Sequence, residues 1–228
     1  MFNGLFQQEE VTRDFCLVLD PAGSPEEIEA RSFAIIDAEA GERNGFSGRA
    51  RVIARRIVHA GGDLGLFDLM YLPDAAIDAG IRALKNGSPI YADTRMLSSG
   101  IPRRRLSPFG TRVVCIQDLP GLAEEAAASG VTRACAAVGR LKDEVGGSIF
   151  AVGNSPTALL ALLGHLDAGG APPALVVAMP VGFVNAEQSK ELILRRGKPP
   201  VFALRGRRGG SPLAAAAINA LAALAAEA

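Results

Sequence analysis

The segment ARRIVHAGGD, residues 54–63, contains one of the two histidines of the chain, beside arginine and aspartate. Apolar residues recur in it at helical spacing, so Arg56 and His59 lie one turn apart on the same side of a predicted helix. The carbonyl dipoles at a helix end favour the imidazolium, whereas a neighbouring guanidinium favours the neutral imidazole. A histidine under such opposed influences is a candidate for proton donation.

A second interpretation of His59 involves no chemistry. Histidine is common at helix ends, because its cation interacts favourably with the last carbonyl groups. In that case Gly61 is the left-handed residue that caps the helix, and Asp63 begins the following loop. The sequence leaves both interpretations of His59 open.

No intrinsic metal site is predicted. His165 ends an apolar helical pattern without an acidic, cysteine or histidine partner at ligand spacing, and the sequence contains neither HExxH nor CxxC. The three cysteines are odd in number and form no close pair. We therefore expect them to be reduced and packed as small hydrophobic side chains.

Two glycine-rich loops and one arginine run are candidates for anion binding. The loops GNSPT (153–157) and RGRRGGS (205–211) each precede a predicted helix whose free N–H groups suit a phosphate, but neither matches a nucleotide-binding motif. The simpler interpretation is a tight turn that needs the backbone freedom of glycine. The run RRR (103–105) predicts either a solvated surface or a grip on carboxylates from a neighbouring subunit.

Short apolar runs alternate with helical patterns and form the scaffold that must position these groups. Strands are predicted at 88–93, 112–117, 148–152, 174–178 and 201–205. Helices are predicted near 73–85 and 121–142, and three more follow the N-caps Ser155, Asn185 (in a capping box with Gln188) and Ser211. This alternation implies right-handed βαβ units, and so a three-layer α/β/α open parallel sheet of about five strands. Ligands of such sheets bind beyond the carboxyl ends of the strands.

The N-terminal part of the chain has a different pattern. Helices are predicted over 25–40 and 45–60, the second with Ala50, Ile53, Ile57 and Ala60 on its buried face. Residues 1–24 are predicted to be an extension that precedes one domain of residues 25–228. Within the extension, FCLVL (15–19) is a candidate edge strand.

The composition indicates a protein with a full core and no net charge. The 228 residues are 49% hydrophobic, and 24 basic residues balance 24 acidic ones, which predicts no nucleic acid or anionic membrane as a partner. The chain starts without a signal-peptide pattern, and its longest apolar runs are too short or too interrupted to cross a bilayer. We therefore expect a soluble, cytoplasmic protein. The predominance of arginine over lysine fits either a biased genome or a ligand that carries carboxylates.

Seven segments together resemble the precorrin-8X methylmutase family, which includes the cobalt-precorrin-8 methylmutases. They occur in family order: IEARSFAIIDAEA, RRIVHAGGD, YADTRMLSSGI, GVTRACAAV, AVGNSPTALLALL, MPVGFVNAEQSK and ALRGRRGGSPLAAAAINAL. The resemblance implies a flavodoxin-like sheet whose N-terminal helices contribute to the active site. It also implies a homodimer with a corrinoid cleft near the subunit interface.

The resemblance further implies an activity and the residues that perform it. Enzymes of this family are isomerases of cobalamin biosynthesis that move a methyl group from C11 to C12 of precorrin-8X or cobalt-precorrin-8, giving hydrogenobyrinic or cobyrinic acid. By match to the family motifs, His59 is catalytic, and Ser32, Arg56 and Arg133 bind the substrate. Orientation and proton control suffice for this reaction, so the resemblance implies neither a metal nor a cofactor.

The chain departs from the family pattern at several positions. Gly61 stands where cysteine is common, and TRAC and FVNAEQSK replace the usual TRSA and FVGAAESK. The sequence therefore leaves two other functions open. One is a paralogue that binds a corrinoid without isomerising it, and the other is a nucleotide-dependent enzyme that shares the fold.

Overall fold

Helices and short strands alternate along the computed structural model, which describes residues 23–41 and 45–228. The strands are β1 (Met70–Tyr71), β2 (Ile90–Ala92), β3 (Val113–Cys115), β4 (Ile149–Val152), β5 (Leu175–Ala178) and β6 (Val201–Leu204). The first helices are α1 (Pro25–Ala40), α2 (Gly48–Gly61), α3 (Asp74–Lys85), α4 (Arg95–Ser99) and α5 (Arg103–Leu106). The later helices are α6 (Leu122–Ser129), α7 (Arg133–Arg140), α8 (Pro156–Asp167), α9 (Ala186–Arg196) and α10 (Ser211–Glu227). The candidate strand at 15–19 lies outside the described residues.

The strands form one sheet in the order β1-β6-β5-β4-β2-β3. All neighbouring strands are parallel except β1, which pairs antiparallel with β6. The parallel strands, numbered by their order in the chain, follow the flavodoxin-like order 2-1-3-4-5. The expected parallel sheet and all five expected strands are confirmed. The sixth strand, β1, is not predicted, because two residues are too few to show an alternating pattern.

Each of the five parallel strands supplies side chains to two separate cores. Ile149 and Ala151 of β4 pack in the core shared with α2, α3 and α10, whereas Phe150 and Val152 pack in the core shared with α6 to α9. Every residue of β4, β5 and β6 is buried. Strands buried on both faces appear in a sequence as continuous apolar runs, which explains why these three are predicted correctly.

Helix α2 anchors the N-terminal part of the chain to the sheet. Ala50, Ile53 and Ile57 are buried as predicted, in the core that α2 shares with α10. Ala60 is exposed, contrary to the prediction, because α2 ends one residue later and its last turn extends beyond this core. The end of α2 is therefore free to present side chains to solvent or to a ligand.

Helix α1 lies antiparallel on the outside of α2. Asp37, late in α1, pairs with Arg51 and Arg55 of α2, while Glu29, early in α1, pairs with Arg56 near the end of α2. The start of α1 therefore lies beside the last turn of α2.

Two predicted helix boundaries are wrong by one residue. The left-handed cap of α2 is Gly62, with φ 60°, and Gly61 is still helical. Helix α10 begins at Ser211 itself after Gly210, and the Ser211 hydroxyl bonds to Thr94 at 2.9 Å instead of capping its own helix. In the second case a contact distant in sequence replaces the local one that the sequence suggests.

Two further predictions about helices are also wrong. Asn185 precedes α9 in a left-handed conformation, with φ 61°, and its side chain makes no capping bond, so the box with Gln188 does not form. The pattern at 121–142 is divided into α6 and α7, because Gly130 ends α6 with φ 65°.

A buried lysine joins the loops that follow β5 and β6. Lys190 of α9 is inaccessible to solvent and donates from Nζ to Pro180 O at 3.0 Å and to Arg208 O at 2.8 Å. Burial lowers the pKa of Lys190 to about 8, although the charges of Glu187 and Glu191 oppose this effect. The lysine thus ties together two loops at the carboxyl edge of the sheet.

Replacing Lys190 by methionine should change how stability depends on pH. Because the pKa of Lys190 is about 8 in the folded protein and near 10.5 in the unfolded chain, unfolding takes up a proton between these values. We expect the free energy of unfolding of the wild-type protein, relative to Lys190→Met, to rise by up to about 3 kcal/mol across this window. Urea unfolding of both proteins at several pH values measures the difference. A difference that stays constant from about pH 8 to about pH 10 would contradict the lowered pKa.

Candidate active site

The last turn of α2 places His59 on a cavity of about 370 Å³ at the carboxyl side of the sheet. His59 is exposed, and α2 ends just beyond it where the Gly62 N–H donates to Val58 O at 2.8 Å. Residues of α1, α2, α10 and the segment 100–105 line the cavity: Glu29, Arg56, His59, Ala60, Gly100, Arg105, Pro212, Ala215, Ala216 and Asn219.

The ring of Phe33, on α1, packs against His59. The two rings meet edge to face, with centroids 5.3 Å apart and planes at 86°. The guanidinium groups of Arg55 and Arg56 lie 4.3 and 4.9 Å from the centroid of the same Phe33 ring. Phe33 therefore restricts the orientation of the imidazole and holds two cations close to its π-system.

Arg56 already binds a carboxylate of the same chain. Its two terminal nitrogens donate to the two carboxylate oxygens of Glu29, Nη2 to Oε2 at 3.1 Å. The hydrogen bonds from Arg56 hold the pKa of Glu29 below its usual value, burial opposes them, and the charges of His59 and Arg105 act in the same direction as Arg56. The cavity thus contains one ionised carboxylate among three basic side chains.

The structure brings together two of the four site residues that the family resemblance indicates. His59 and Arg56 line the same cavity. Ser32 lies on α1 one turn after Glu29, and its hydroxyl donates to the backbone at 2.9 Å without lining the cavity. Arg133 begins α7, in the layer on the opposite side of the sheet, and is exposed there.

Several residues that line this cavity or contact His59 are not predicted from the sequence. Glu29 and Phe33 come from a different helix, so no spacing rule links them to His59. Arg105 belongs to the arginine run 103–105, but only the fold shows that this arginine faces the cavity, and it has no ion pair among the described residues. Asn219 donates from Nδ2 to Gly100 O at 2.9 Å, and its buried Oδ1 has no hydrogen-bond partner within the same part of the chain.

Asp63, which follows His59 and the two glycines, fixes the end of α2. Its carboxylate accepts from Gly65 N at 2.8 Å, which caps a short 3₁₀ helix over Leu64–Leu69. It also accepts from Nη1 of Arg208 at 2.6 Å. Arg208 lies in the loop between β6 and α10, so this ion pair connects the end of α2 to that loop.

The loop GNSPT does not offer an open phosphate site, contrary to that interpretation of its sequence. The buried carboxylate of Asp93, directly after β2, accepts from the backbone N–H groups of Gly153 at 3.0 Å, Asn154 at 2.8 Å and Ser155 at 2.6 Å. A side chain of the chain itself thus occupies the place where an anion would bind.

The loop RGRRGGS is a tight turn. A Cβ at Gly209 would lie 2.2 Å from Met179 O, so only glycine allows this close approach of two loops. Its arginines are engaged separately: Arg205 with Glu191, Arg207 over the Phe183 ring, and Arg208 with Asp63. The simpler interpretation of this loop therefore fits the structure better than a phosphate cradle.

Among residues 23–41 and 45–228, no three histidine, cysteine, aspartate or glutamate side chains are grouped so that they could hold a metal ion. His165 lies elsewhere, with Nε2 3.2 Å from Ala171 O. Cys115 is buried and Cys135 is half-buried, both as free thiols. In the described part of the chain, no helix has the length and apolar character to span a membrane.

Comparisons with known proteins agree on the relationship of this chain. The family model described as precorrin-8X methylmutase matches residues 27–224. A precorrin-8X methylmutase of Pseudomonas aeruginosa is 44% identical, with 86% of this chain and 93% of the relative covered. A cobalt-precorrin-8 methylmutase of Leptospira interrogans is 38% identical, with 85% and 91% covered. The solved precorrin-8x methyl mutase of Thermus thermophilus is 40% identical, with a TM-score of 0.80 and coverage of 88% of this chain and 98% of that one.

The fold and the cavity define a flavodoxin-like α/β protein with a cleft of basic side chains around a histidine. With the match over residues 27–224 and relatives of this similarity, the chain belongs to the precorrin-8X methylmutase family. It is therefore an isomerase that transfers a methyl group within one molecule, as the resemblance predicts. The comparisons give no support to a paralogue without catalysis.

Asp63→Ala should destabilise the protein, because it removes a helix cap and leaves Arg208 without its partner. We expect the free energy of unfolding to fall by about 1–2 kcal/mol. Asp68→Ala is the matched control, since Asp68 lies in the same 3₁₀ helix, is exposed and has no ion pair among the described residues. Urea unfolding measures both variants, and equal losses would show that the contacts of Asp63 do not stabilise the end of α2.

Proposed function

We propose that the cavity beside His59 is the active site, where a methyl group moves from C11 to C12 of a precorrin-8-type tetrapyrrole in cobalamin biosynthesis. The product is hydrogenobyrinic acid or its cobalt form, cobyrinic acid. The observation that carries the proposal is that the segment RRIVHAGGD brings His59 and Arg56 into one cavity with a second arginine, Arg105. Relatives named for the cobalt-free and for the cobalt-containing substrate are 44% and 38% identical, so the proposal covers both forms.

In this proposal His59 donates a proton to the macrocycle as the methyl group migrates. The migration breaks one carbon–carbon bond and forms another within the same conjugated ring system, so it needs no nucleophile from the protein. Isomerisation changes no atom count, and the donated proton must therefore be returned before the next turnover. The exposed imidazole, held at its edge by Phe33, has the access and the fixed orientation that such transfer requires.

The substrate carries several acetate and propionate arms, which the arginines of the cavity suit. Arg105 has no ion pair within the described part of the chain and is therefore the first candidate to bind an arm. Arg56 binds an arm only if the arm displaces Glu29, whose carboxylate occupies the fork that a substrate carboxylate would use. This exchange replaces one charge-assisted pair by another, and so it leaves neither group buried and unpaired.

Ser32 and Arg133 are assigned to substrate binding outside the walls of this cavity. Arg133 lies in the opposite layer, so it reaches the macrocycle either along the carboxyl edge or from a second copy of the chain. A homodimer with the corrinoid cleft near its interface provides the second route. Exposed apolar side chains on α1 and after β5 support such an interface, with exposed fractions of 47%, 49%, 83% and 77%: Ile28, Ile35, Phe183 and Val184.

The proposal extends to the organisation and location of the chain. It includes one methylmutase-like domain over residues 25–228, preceded by an extension of residues 1–24. It also includes a cytoplasmic location, which the two free thiols of the described residues support, because disulfides persist mainly in oxidising compartments.

His59→Ala should lower turnover by roughly 10²–10⁴-fold, since general acid catalysis contributes about that much. His59→Asn should be similarly slow, because asparagine keeps a hydrogen-bond donor but transfers no proton at neutral pH. The measurement is the spectral conversion of the tetrapyrrole substrate, with product affinity determined by absorbance titration.

His165→Ala is the matched control for this test. It removes the only other histidine, which lies in the opposite layer and bonds to Ala171 O, so its turnover should stay near that of the wild-type protein. Full activity in a folded His59→Ala protein would end the catalytic assignment. His59 would then be a helix-end residue that stabilises by about 0.3–1 kcal/mol.

Arg105→Ala should weaken binding of the corrinoid product by about tenfold to a hundredfold, which is the range for losing one charge-assisted hydrogen bond. Arg104→Ala is the control, because Arg104 is the exposed neighbour in α5 and does not line the cavity. Absorbance titration of both variants measures the affinities. Equal affinities for the two variants would exclude Arg105 as a carboxylate ligand.

A further inference from the structure

Asp93 lies at the point where the connections of the sheet change direction. The neighbouring strands β2 and β4 are parallel, and the chain leaves them towards opposite ends of the sheet. Folds of this strand order bind ligands in the crevice at this point, and anions bind there at the N-terminus of the following helix. Here the following helix is α8, and its loop N–H groups all point at the Asp93 carboxylate.

The contacts of Asp93 are those of a bound anion. The carboxylate is inaccessible to solvent, and its partners are three backbone amides rather than a cationic side chain. The loop that supplies them packs closely on the start of α10, since a Cβ at Gly153 would lie 2.6 Å from the Cα of Ser211. The place for the anion is therefore fixed by the fold, and one side chain fills it.

Hydrogen bonds connect this anion to Arg133 on one side of the sheet. Ser155, whose N–H binds Asp93, bonds through its hydroxyl to Thr157 at 3.0 Å. Thr157 bonds to the hydroxyl of Thr132 at 2.8 Å, and Thr132 is the residue that caps α7. Arg133 is the first residue of that helix.

A second connection leads to the cavity of His59 on the other side. Thr94, the neighbour of Asp93, bonds through its hydroxyl to Ser211 at 2.9 Å. Ser211 begins α10, and the next residue, Pro212, lines the cavity together with His59. Asp93 and Thr94 thus stand between the two groups of site residues that lie in different layers.

We propose that Asp93 is an internal anion, which fills the anion-binding position of the fold and positions both groups of site residues through these connections. The first part of this statement stands on the contacts alone, and the second part depends on the proposed function. The carboxylate also closes the N-terminus of α8 to the arms of the substrate, which leaves the arginines of the cavity as their candidate partners.

Chemical rescue of Asp93→Gly tests the proposal. This substitution removes a CH₂–COO⁻ group, which is acetate without one hydrogen, so acetate can restore the lost atoms. Asn154, whose N–H binds Asp93, is exposed, so the position lies next to the protein surface. We expect acetate at about ten times its Kd to raise the Tm of Asp93→Gly by about 3–5 °C more than chloride at equal ionic strength.

The wild-type protein and Asp93→Asn are the controls. Both have the position filled, so their Tm values should not distinguish acetate from chloride. In the turnover assay, acetate should restore activity to Asp93→Gly but not to Asp93→Asn. A wild-type protein without turnover would count against the proposed function alone, because the effect of acetate on Tm needs no substrate.

Failure of the acetate effect in a folded Asp93→Gly protein would overturn the proposal. If this variant folds in acetate but not in chloride, its higher refolding yield in acetate supports the proposal. If it folds in neither, Asp93→Ala decides the question, because alanine retains Cβ and formate then supplies the missing carboxylate. No formate-dependent increase in refolding yield or Tm would overturn the proposal.

Discussion

The packing of α2 against α10 determines where the site lies. Helix α10 follows β6 directly, so it is attached to the sheet by a short loop, and most of its buried residues are alanines. Small side chains allow two helices to approach closely, and Ile53 and Ile57 of α2 are completely buried in the core they share with α10. His59 lies two residues after Ile57, where α2 extends beyond this core. A shift of α2 along α10 would therefore move the imidazole directly.

Helix α1 depends on this contact in turn, because it packs mainly on α2. The ion pairs between α1 and α2 are partly exposed, and each contributes about 0–1 kcal/mol. Their main effect is therefore to fix how α1 is aligned along α2. They place Glu29 and Phe33 beside the last turn of α2, where one binds Arg56 and the other packs on His59.

The sequence predicts best those strands that are buried on both faces of the sheet. The strands β4, β5 and β6 appear as apolar runs because every one of their residues is buried. Helix ends are predicted less well, because long-range contacts compete with local ones. Ser211 has the right side chain to cap α10, but its hydroxyl bonds to Thr94, which is 117 positions away in the sequence.

The site separates in the same way into a local part and a tertiary part. Arg56 and His59 can be placed together from their spacing on one helix, and the structure shows both on one cavity. Glu29 and Arg105 line that cavity from other elements, and Phe33 packs on His59 from α1, so their positions depend on how helices pack. The family motif identifies Arg133 as a site residue, but a motif does not show on which side of the sheet that residue lies.

Carboxylates of the chain occupy three of the anion-binding positions at this edge of the sheet. Glu29 binds Arg56, Asp63 binds Arg208, and Asp93 binds the amides before α8. These occupants differ in how easily a ligand can displace them. The side chain of Glu29 is 41% exposed and can be hydrated after it leaves, whereas the Asp93 side chain is completely buried, so its displaced carboxylate would lose three N–H donors without gaining water.

Leaving a buried polar group unpaired costs about 1–3 kcal/mol, and more when the group is charged, so exchange at Asp93 is far less favourable than exchange at Glu29. An anionic ligand is therefore expected to displace Glu29 of α1 from Arg56 of α2. We expect it to leave Asp93 and the loop before α8 unchanged. The same difference separates the two kinds of carboxylate by function: the exposed one can give way to a substrate arm, and the buried one holds the framework in which that arm is recognised.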